Sequence, residues 1–235
     1  MKHKFGKTIV IALGGSIIYP DQIDSAFIKK FRTFILRFIK RGYKFVIVVG
    51  GGRPARLFQE AAHAVVPVKD EDKDWLGIHA TRLNAHLLRT IFREVADPVV
   101  IDNRHKIKKL KYPVTVASGW TPGWSTDYIS IALAEDFKVK EAIIAGKPAH
   151  VYDKDPCLPA GRRTTPAKPI HELKWKEYRK LIPAKWKPGF HSPVDPVAAR
   201  LAGKRGIAAI IVNGKDLKNF EKMISGKEFK GSIIK

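Results

Sequence analysis

The chain has 235 residues, 45% of them hydrophobic, and its 44 Lys and Arg outnumber its 22 Asp and Glu to give a formal net charge of +22. This length and apolar content are enough for one large domain with its own core. The longest apolar runs have the length of strands, and the basic segment 1–7 lacks the apolar stretch and cleavage site of a signal peptide, so we expect no membrane span and a cytoplasmic location. The single cysteine, Cys157, excludes an internal disulfide.

The positive charge would attract polyanions and small anionic molecules alike. Basic residues are spread over most of the chain, with local concentrations at 105–111 and 162–187, and no zinc-finger, RNA-recognition or basic-zipper pattern accompanies them. We therefore interpret the charge as a solvated surface. Nucleic acid is a possible partner that the sequence does not favour.

Two apolar runs, residues 8–13 and 45–49, are each followed at once by a glycine-rich turn. These turns consist of Gly14, Gly15 and Ser16 and of Gly50, Gly51 and Gly52. Glycine lets backbone N–H groups and a helix N-terminus approach an anion closely. Pro54 opens a helix after the second turn, between Arg53 and Arg56. The pattern predicts phosphate sites in preference to ordinary strand-to-helix turns.

Further along the chain, strand and helix signals alternate. An amphipathic helix with apolar residues at three- and four-residue spacing from Phe27 to Ile39, capped by Asp24 or Ser25, separates the two glycine turns. Predicted after the second turn are helices 54–63 and 76–95, strands at 99–101 and 114–117, helix 128–136, strand 142–145, helices 172–181 and 196–204, strand 207–212, helix 217–224 and strand 232–234. This order predicts an α/β fold with a mainly parallel sheet, helices on both faces, and ligands at the carboxyl ends of the strands. Residues 156–169 read as a loop, and a lobe boundary falls near Val139.

Residues 117–127, ASGWTPGWSTD, join a predicted strand to a predicted helix and carry hydroxyls, glycines, two tryptophans and a carboxylate. Ser125 or Thr126 would cap the helix, with Asp127 in its first turn. If residues 74–86 are helical, Gly77, Thr81 and Asn84 lie near one face, and so do Asp74 and Gly77.

Several common catalytic signatures are missing from the sequence. There is no Walker loop and no G-x-S-x-G elbow, and the histidines show no metal-ligand spacing. Residues 50–55 fit the dinucleotide pattern G-x-G-x-x-A, but they follow the second strand of the chain instead of the first, so the match is weak.

Taken together, these segments resemble the amino acid kinase family, and within it most closely the archaeal-type uridylate (UMP) kinases. The matching pieces occur in family order over nearly the full length: ALGGSIIYP (12–20), VVGGGRPAR (48–56), DWLGIHATRLNAHLL (74–88), SGWTPGWSTD (118–127), VYDKDP (151–156), DPVAARLAGKRGI (195–207) and GSII (231–234). The resemblance implies a three-layer αβα sandwich with an acceptor-binding lobe at 1–139 and an ATP-binding lobe at 140–235. It also implies ATP-dependent phosphoryl transfer to UMP with Mg²⁺, and a homohexamer.

The resemblance further implies site residues. Those implied to be catalytic are Asp127, Arg56 and Ser16. Those implied to bind ATP are Gly14, Gly15, Ser16, Gly52, Arg56, Gly146, Lys147, Tyr152 and Asp155. Those implied to bind UMP are Gly51, Asp74, Trp120, Thr121, Pro122, Gly123, Trp124, Ser125 and Thr126. No protein metal ligand is implied.

The chain departs from the family pattern in three places. Residues 146–152, GKPAHVY, lack the amide, acid and glycine of the usual Asn-Val-Asp-Gly-Val-Tyr segment, which bears on the ATP base pocket. Ala12 replaces a lysine common among relatives, so that another cation, for example Arg200 or Lys147, would serve in its place. The bulk of Trp120 and Trp124 would either alter acceptor choice or serve a subunit contact.

Other functions stay open at this point. A related kinase for isopentenyl phosphate is the second hypothesis, but its branch commonly carries a histidine after the glycine loop, where this chain reads Arg53-Pro54-Ala55-Arg56. A non-catalytic member that binds nucleotide or RNA is the third, and a dehydrogenase that binds NAD is a distant fourth.

Overall fold

The apolar runs of the sequence lie side by side as strands of one sheet. The structure is a computed structural model and describes residues 1–154, 166–185 and 192–235. Its strands are β1 (Thr8–Leu13), β2 (Lys44–Val49), β3 (Val114–Ala117), β4 (Glu141–Gly146), β5 (Val151–Tyr152), β6 (Pro169–Ile170), β7 (Glu172–Leu173), β8 (Ala208–Asn213) and β9 (Ser232–Ile234). A seven-stranded sheet has the order β3-β2-β1-β4-β8-β9-β7, and β5 pairs with β6 in a separate small sheet.

The first five strands in that order are parallel, while β9 runs antiparallel to β8. All five therefore end at one edge of the sheet, here called the carboxyl edge, and begin at the opposite amino edge. Their residues are almost all apolar because both faces of a parallel sheet are covered.

Helices cover both faces. They are α1 (Gly15–Ile18), α2 (Ser25–Ile39), α3 (Gly52–Val65), α4 (Asp70–Ile91), α5 (Thr126–Asp136), α6 (Trp175–Leu181), α7 (Pro196–Arg205) and α8 (Leu217–Ile224). The core on one face joins α2, α4 and α8 to alternate strand residues such as Ile11 and Ile47. The core on the other face joins α5, α6 and α7 to the intervening residues, such as Val46. The predicted three-layer αβα sandwich is thereby confirmed.

The amphipathic helix predicted near residues 27–39 is α2. Asp24 caps it by accepting a hydrogen bond from the N–H of Phe27 at 2.9 Å. Six of its apolar side chains are buried in the core: Phe27, Ile28, Phe31, Phe34, Ile35 and Phe38. Because each such side chain contributes about 1.5–3 kcal/mol when fully buried, this face of α2 belongs to the core and is not a subunit contact.

The strand predicted at residues 99–101 is wrong. The structure has only isolated bridges there, from Ala96 to Val114 and from Ile101 to Ala117. Pro98 has no N–H to donate to a ladder, and the side chain of Asp97 accepts a hydrogen bond from the N–H of Val99 at 2.9 Å. This local turn replaces strand pairing between the two bridges.

Other differences concern the ends of elements. The helix predicted from residue 172 begins at Trp175, because residues 172–173 pair with β9 as β7. The helix predicted at 76–95 spans Asp70–Ile91. Most of the predicted loop 156–169, and Cys157 with it, lies outside the described residues. Across the ranges that the structure describes, no helix has the length and apolar character needed to cross a bilayer.

Candidate functional site

The candidate site lies at the carboxyl edge, where the loops after β1, β2, β3, β4 and β8 meet. The N–H of Gly14 donates to the carbonyl of Ala145 at 2.9 Å, and the N–H of Gly50 donates to the carbonyl of Leu13 at 3.0 Å. The strand order reverses at β1, because the chain continues from β1 to β2 on one side and reaches β4 only later on the other. Ligands of open α/β sheets bind at such a switch point.

The two glycine turns are in direct backbone contact. A Cβ atom on Gly15 would lie 2.0 Å from the backbone nitrogen of Gly52, and one on Gly50 would lie 2.4 Å from the nitrogen of Gly15. Gly52 also has a φ of +69°, in the left-handed region that favours glycine. Close packing of the two turns therefore requires glycine at these positions, whether or not a ligand binds there. Helices α1 and α3 begin here, and a helix N-terminus carries backbone N–H groups that can face an anion. Some of them are already bonded, since the N–H of Arg53 donates to the carbonyl of Tyr19 at 3.1 Å and that of Ile17 to the carbonyl of Gly14 at 2.8 Å.

One face of α4 ties these loops together, as the spacing of its residues predicts. Asp74 accepts a hydrogen bond from the N–H of Gly123 at 2.8 Å. Thr81 accepts one from the N–H of Gly119 at 2.7 Å. Asn84 donates to the carbonyls of both Gly50 and Gly51, at 2.8 and 2.9 Å. The helix thus fixes the second glycine turn relative to the loop after β3.

Asp74 has a raised pKa. Burial is the main cause, and the nearby charge of Asp70 adds to it, while the hydrogen bond from Gly123 acts in the opposite direction. One of its oxygens holds the loop after β3. The predicted contact of Asp74 with a UMP sugar stays a prediction, and it would require the remaining acceptor capacity of the carboxylate.

The two tryptophans of the predicted acceptor loop, residues 118–126, differ in burial. Trp120 is only 5% exposed and donates from Nε1 to the carbonyl of Ile101 at 3.3 Å, so its indole belongs to the core. Only its backbone is therefore placed to contact a ligand. Trp124 is 37% exposed, and its ring lies 4.8 Å from that of Tyr128.

The remaining residues of this loop, Thr121 and Pro122 among them, form a turn and a helix cap. The N–H of Trp124 donates to the carbonyl of Thr121 at 3.3 Å, with Gly123 at a φ of +83°. Ser125 is the N-cap of α5 and accepts from the N–H of Tyr128 at 3.1 Å, while Thr126 begins the helix. The predicted cap at Ser125 is confirmed.

Asp127 lies in the first turn of α5 beside a second carboxylate, Asp195. Burial raises the pKa of Asp127 well above its usual range, the charge of Asp195 raises it further, and a hydrogen bond from the backbone N–H of Asp195 lowers it. Asp195 is 5% exposed and caps α7 by accepting from the N–H groups of Val197 and Ala198 at 2.7 and 3.0 Å. Its other oxygen accepts a hydrogen bond from the hydroxyl of Ser125.

Cations near the glycine turns differ in how they are engaged. Arg53 forms an ion pair with Glu60 at 3.6 Å. The guanidinium of Arg56 forms no hydrogen bond or ion pair with another residue of ranges 1–154, 166–185 and 192–235. Arg56 is therefore the more available of the two for an anionic ligand.

The position that lacks the expected lysine is apolar. The side chain of Ala12 is 4% exposed and belongs to the second core. Of the two proposed substitutes, Arg200 is exposed and donates to the carbonyl of Ala184 at 3.0 Å, on the outside of α7. Lys147 is exposed directly after β4, at the carboxyl edge. The structure favours Lys147 over Arg200.

The candidate ATP side is built by the ends of β4 and β8. The N–H of Gly214 donates to the carbonyl of Gly146 at 2.8 Å, and Asn213 donates from its side chain to the carbonyl of Lys147 at 3.1 Å. Tyr152 lies on β5, partly buried. Asp155 lies outside the described residues, and its role stays a prediction.

Sequence reasoning missed Asp195 and Asn213 as members of this edge. Asp195 stands immediately before Pro196, a common arrangement of N-cap and first helical residue, which is the signal that would have marked it as a cap. Nothing in the local sequence indicates that the same carboxylate faces Ser125. Among the described residues, no three His, Cys, Asp or Glu side chains come together as a metal site.

The fold and this edge define a three-layer α/β protein whose paired glycine turns are suited to phosphate groups. A model of the amino acid kinase family matches residues 7–213. The uridylate kinase of Thermococcus sibiricus is 31% identical over 230 residues, covering 96% of this chain and 98% of the relative. That of Methanosarcina barkeri is 32% identical over 229 residues, covering 96% and 95%.

Solved structures agree. The crystal structure of uridylate kinase from Archaeoglobus fulgidus matches with a TM-score of 0.80 and 27% identity, and the match covers 98% of this chain and 100% of that one. A UMP kinase from Bacillus anthracis, at 18% identity and a TM-score of 0.75, shares the fold. The chain belongs to the amino acid kinase family.

Proposed function

We propose that this protein is an ATP-dependent UMP kinase that forms UDP and ADP. The two relatives described above, each covering 96% of this chain, are uridylate kinases. The observation that carries the proposal is the direct contact of the two glycine turns, together with the hydrogen bonds by which α4 ties the second turn to the loop after β3. In our proposal, the second turn and the loop after β3 would bind the acceptor, and the first turn beside them would bind the phosphates of ATP.

Transfer of a phosphoryl group from ATP to UMP needs little covalent chemistry from the protein. An oxygen of the UMP phosphate attacks the γ-phosphorus, and the bond to the ADP oxygen breaks. The main requirement is to hold two anions in line and to offset their repulsion. In our proposal, the backbone N–H groups of Gly15, Ser16 and Gly52, together with the side chain of Arg56, hold the transferring phosphates. The N–H of Gly14 already donates to the carbonyl of Ala145, so Gly14 would shape the turn and not donate to ATP. The absence of a Ser-His or Cys-His pair from the sequence is consistent with this.

Asp127 is proposed to organise the reacting groups. Burial and the neighbouring charge of Asp195 raise the pKa of its carboxyl and so favour the protonated form. The approach of a cation would favour the ionised form instead. Mg²⁺ enters such sites mainly through the phosphates of the nucleotide and one or two carboxylates. Asp127 fits that donor set, whereas both oxygens of Asp195 already accept hydrogen bonds from Ser125, Val197 and Ala198. The ion would offset charge on the phosphates.

The two lobes of the proposal divide the sheet between β1 and β4. The acceptor lobe, residues 1–139, would bind UMP through Gly51, Asp74 and residues 120–126. The ATP lobe, residues 140–235, would bind ATP through Gly146, Lys147, Tyr152 and Asp155.

The same proposal includes a homo-oligomer, a hexamer by family resemblance, in the cytoplasm. Support for a subunit contact comes from α3, which exposes Leu57, Phe58 and Val65 at 44%, 64% and 82%. A row of large apolar side chains exposed to this extent favours burial against a second copy of the chain. Sedimentation of the protein beside a Phe58→Ser variant tests this, with dissociation to smaller species expected in the variant.

A coupled ADP-release assay with ATP, Mg²⁺ and UMP, CMP, AMP or isopentenyl phosphate tests the proposed activity. We expect selective turnover with UMP that is lost in an Asp127→Asn variant. Preferred turnover with isopentenyl phosphate would make the protein a related kinase. Folded protein that binds UMP without turning over any acceptor would contradict the catalytic proposal.

A further inference from the structure

The amino edge of the sheet, opposite the candidate active site, carries a row of cations that form no salt bridge within the described part of the chain. We define the basic edge as eight exposed residues at or near the beginnings of the parallel strands: Lys7, Lys40, Arg41, Lys108, Lys109, Lys111, Lys138 and Lys140. None of the eight forms a salt bridge with another residue in ranges 1–154, 166–185 and 192–235. Eight of the 44 Lys and Arg residues of the chain, which belong to four separate segments of the sequence, thus lie on one edge of the fold.

Hydrogen bonds at the starts of the strands show that the row is continuous. The N–H of Lys44 donates to the carbonyl of Lys7 at 2.8 Å, and the side chain of Lys44 donates to the carbonyl of Leu110 at 2.8 Å. The N–H of Ala208 donates to the carbonyl of Lys140 at 2.9 Å. The sequence segments that precede β1, β2, β3, β4 and β8 are thus neighbours in space. Since adjacent strands lie about 4.8 Å apart, the five starts span about 19 Å.

Carboxylates near this edge are already engaged or buried. Glu135 and Asp136 pair with Arg104 at 3.1 and 2.7 Å, and Glu135 also pairs with Arg205. Glu141 is 6% exposed and faces His3. The row ends beyond β8, where β7 carries Glu172, paired with Lys235, and α6 carries Glu177.

Compensation of helix dipoles explains only part of the row. Lys40 directly follows α2 and Lys138 lies two residues after the last residue of α5, and a cation is favourable near both helix C-termini. Lys7, Lys109 and Lys140 do not occupy such positions. A surface with this many unpaired like charges costs stability through self-repulsion, which a bound polyanion would remove.

We propose that the basic edge binds the phosphate backbone of a nucleic-acid duplex, independently of base sequence. Seven of its eight cations are lysines, which contact phosphate as point charges without the bidentate geometry used to read bases. A span of about 19 Å corresponds to roughly six base pairs of duplex at 3.4 Å each. This site does not depend on the proposed kinase activity, because it lies at the opposite edge of the sheet.

The aromatic residues of this edge favour a duplex over a single strand. Proteins that bind single strands combine cations with open rings on which bases stack. Tyr43 is not open, since the ammonium of Lys7 lies 4.2 Å from its ring centroid and Phe38 contacts it edge-on. Tyr112, at 39% exposure, is the available ring among the described residues of this edge.

Fluorescence anisotropy with labelled 20-base-pair DNA and RNA duplexes of arbitrary sequence tests the proposal at several NaCl concentrations. The test variant combines Lys111→Glu, before the start of β3, with Lys140→Glu, before the start of β4. These two strands flank β2 and β1 in the sheet. The control combines Lys29→Glu with Lys30→Glu on exposed positions of α2, with the same change in net charge. We expect the test variant to bind about tenfold more weakly or worse, and its log–log salt slope to fall by about 2, since each lost phosphate contact contributes about 0.9.

The controls make the result decisive. The control variant should lose much less affinity, and saturating ATP and UMP should not displace the duplex. The proposal is overturned by absence of duplex binding at low salt, by equal losses in the two variants, by displacement with nucleotide, or by binding of phosphatidylserine vesicles in place of duplex. ADP release by both variants, or thermal unfolding where activity is absent, shows that they are folded.

Discussion

Ser125 donates a hydrogen bond to the carboxylate of Asp195, although 70 residues separate them in the chain. Each of the two is the N-cap of its own helix, α5 and α7 respectively. The pair therefore joins the helix that carries Asp127 to a helix of the proposed ATP lobe. The charge of Asp195 also raises the pKa of Asp127, so the two carboxylates are electrostatically coupled.

An Asp195→Asn variant should change both the rate and the pH dependence of the proposed reaction. Loss of the negative charge removes one of the two causes that raise the pKa of Asp127. If ionised Asp127 is the active form, the acid side of the kcat profile should move to lower pH, and we expect kcat to fall about tenfold through weaker positioning. Asp97→Asn, at a carboxylate of similar burial on the amino edge, is the control and should leave the profile in place. An unchanged profile in Asp195→Asn would contradict the coupling.

The raised pKa of Asp127 also predicts how stability varies with pH. The folded state keeps the proton to a higher pH than the unfolded chain, whose carboxyl titrates near 3.8. The folded state binds more protons in that window, so this group lowers stability as pH rises from about 3.8 to the folded-state pKa, with no further loss above it. Asp127→Asn removes this loss. We expect the variant to unfold at a higher temperature than the wild type at pH 7–8 while its activity falls at least about 100-fold. Equal pH dependence of unfolding in both proteins would contradict the assigned burial.

The layered fold was predictable because it depends on local pattern. An apolar run such as residues 8–13 forms a strand independently of which helices pack against it. The spacing of apolar residues in α2 predicted its buried face. The strand prediction failed at residues 99–101, although they are apolar. Pro98 lacks an N–H, and the side chain of Asp97 accepts the hydrogen bond of the Val99 N–H. A residue pattern does not show how far a local turn will compete with strand pairing.

The candidate site was predictable only where its residues lie within local motifs. Glycine turns and the Ser125 cap have local signals. The pairing of Ser125 with Asp195 depends on the packing of α5 against α7, and the burial of Trp120 depends on the position of Ile101. Such relationships arise from tertiary structure between distant segments, so no spacing in the sequence encodes them.

A Gly15→Ala substitution should destabilise the protein as well as inactivate it. The added Cβ would lie 2.0 Å from the backbone nitrogen of Gly52 and 2.6 Å from the carbonyl of Gly50, so the two turns would have to separate. We expect a loss of about 3 kcal/mol or more in the free energy of unfolding, measured with urea, at the upper end for overpacking. Gly6→Ala is the control, because no atom lies within 4 Å of its added Cβ. Wild-type stability in Gly15→Ala would show that the turns are not held in contact.

Trp124→Ala separates a ligand contact from a subunit contact. The side chain is 37% exposed and lies against Tyr128. If it contacts UMP, KM for UMP should rise about tenfold, with little change in KM for ATP. A tenfold change corresponds to about 1.4 kcal/mol, which is within the range expected for the loss of one stacked base. If it lies at a subunit contact, the sedimentation coefficient should fall instead. Unchanged KM and unchanged assembly would leave Trp124 outside both roles.

Arg56→Ala and Arg53→Ala form a matched pair three residues apart on α3. Arg53 pairs with Glu60 at 3.6 Å, whereas Arg56 has no ion-pair partner within the described part of the chain. A guanidinium that offsets charge on transferring phosphates contributes most in the transition state, so we expect Arg56→Ala to lower kcat about 100-fold. Arg53→Ala should cost less than about 1 kcal/mol of stability, as for an exposed ion pair, and should change kcat little. Steady-state ADP release at saturating UMP measures both variants. A larger loss of kcat in Arg53→Ala than in Arg56→Ala would reverse the assignment and place Arg53 at the phosphates.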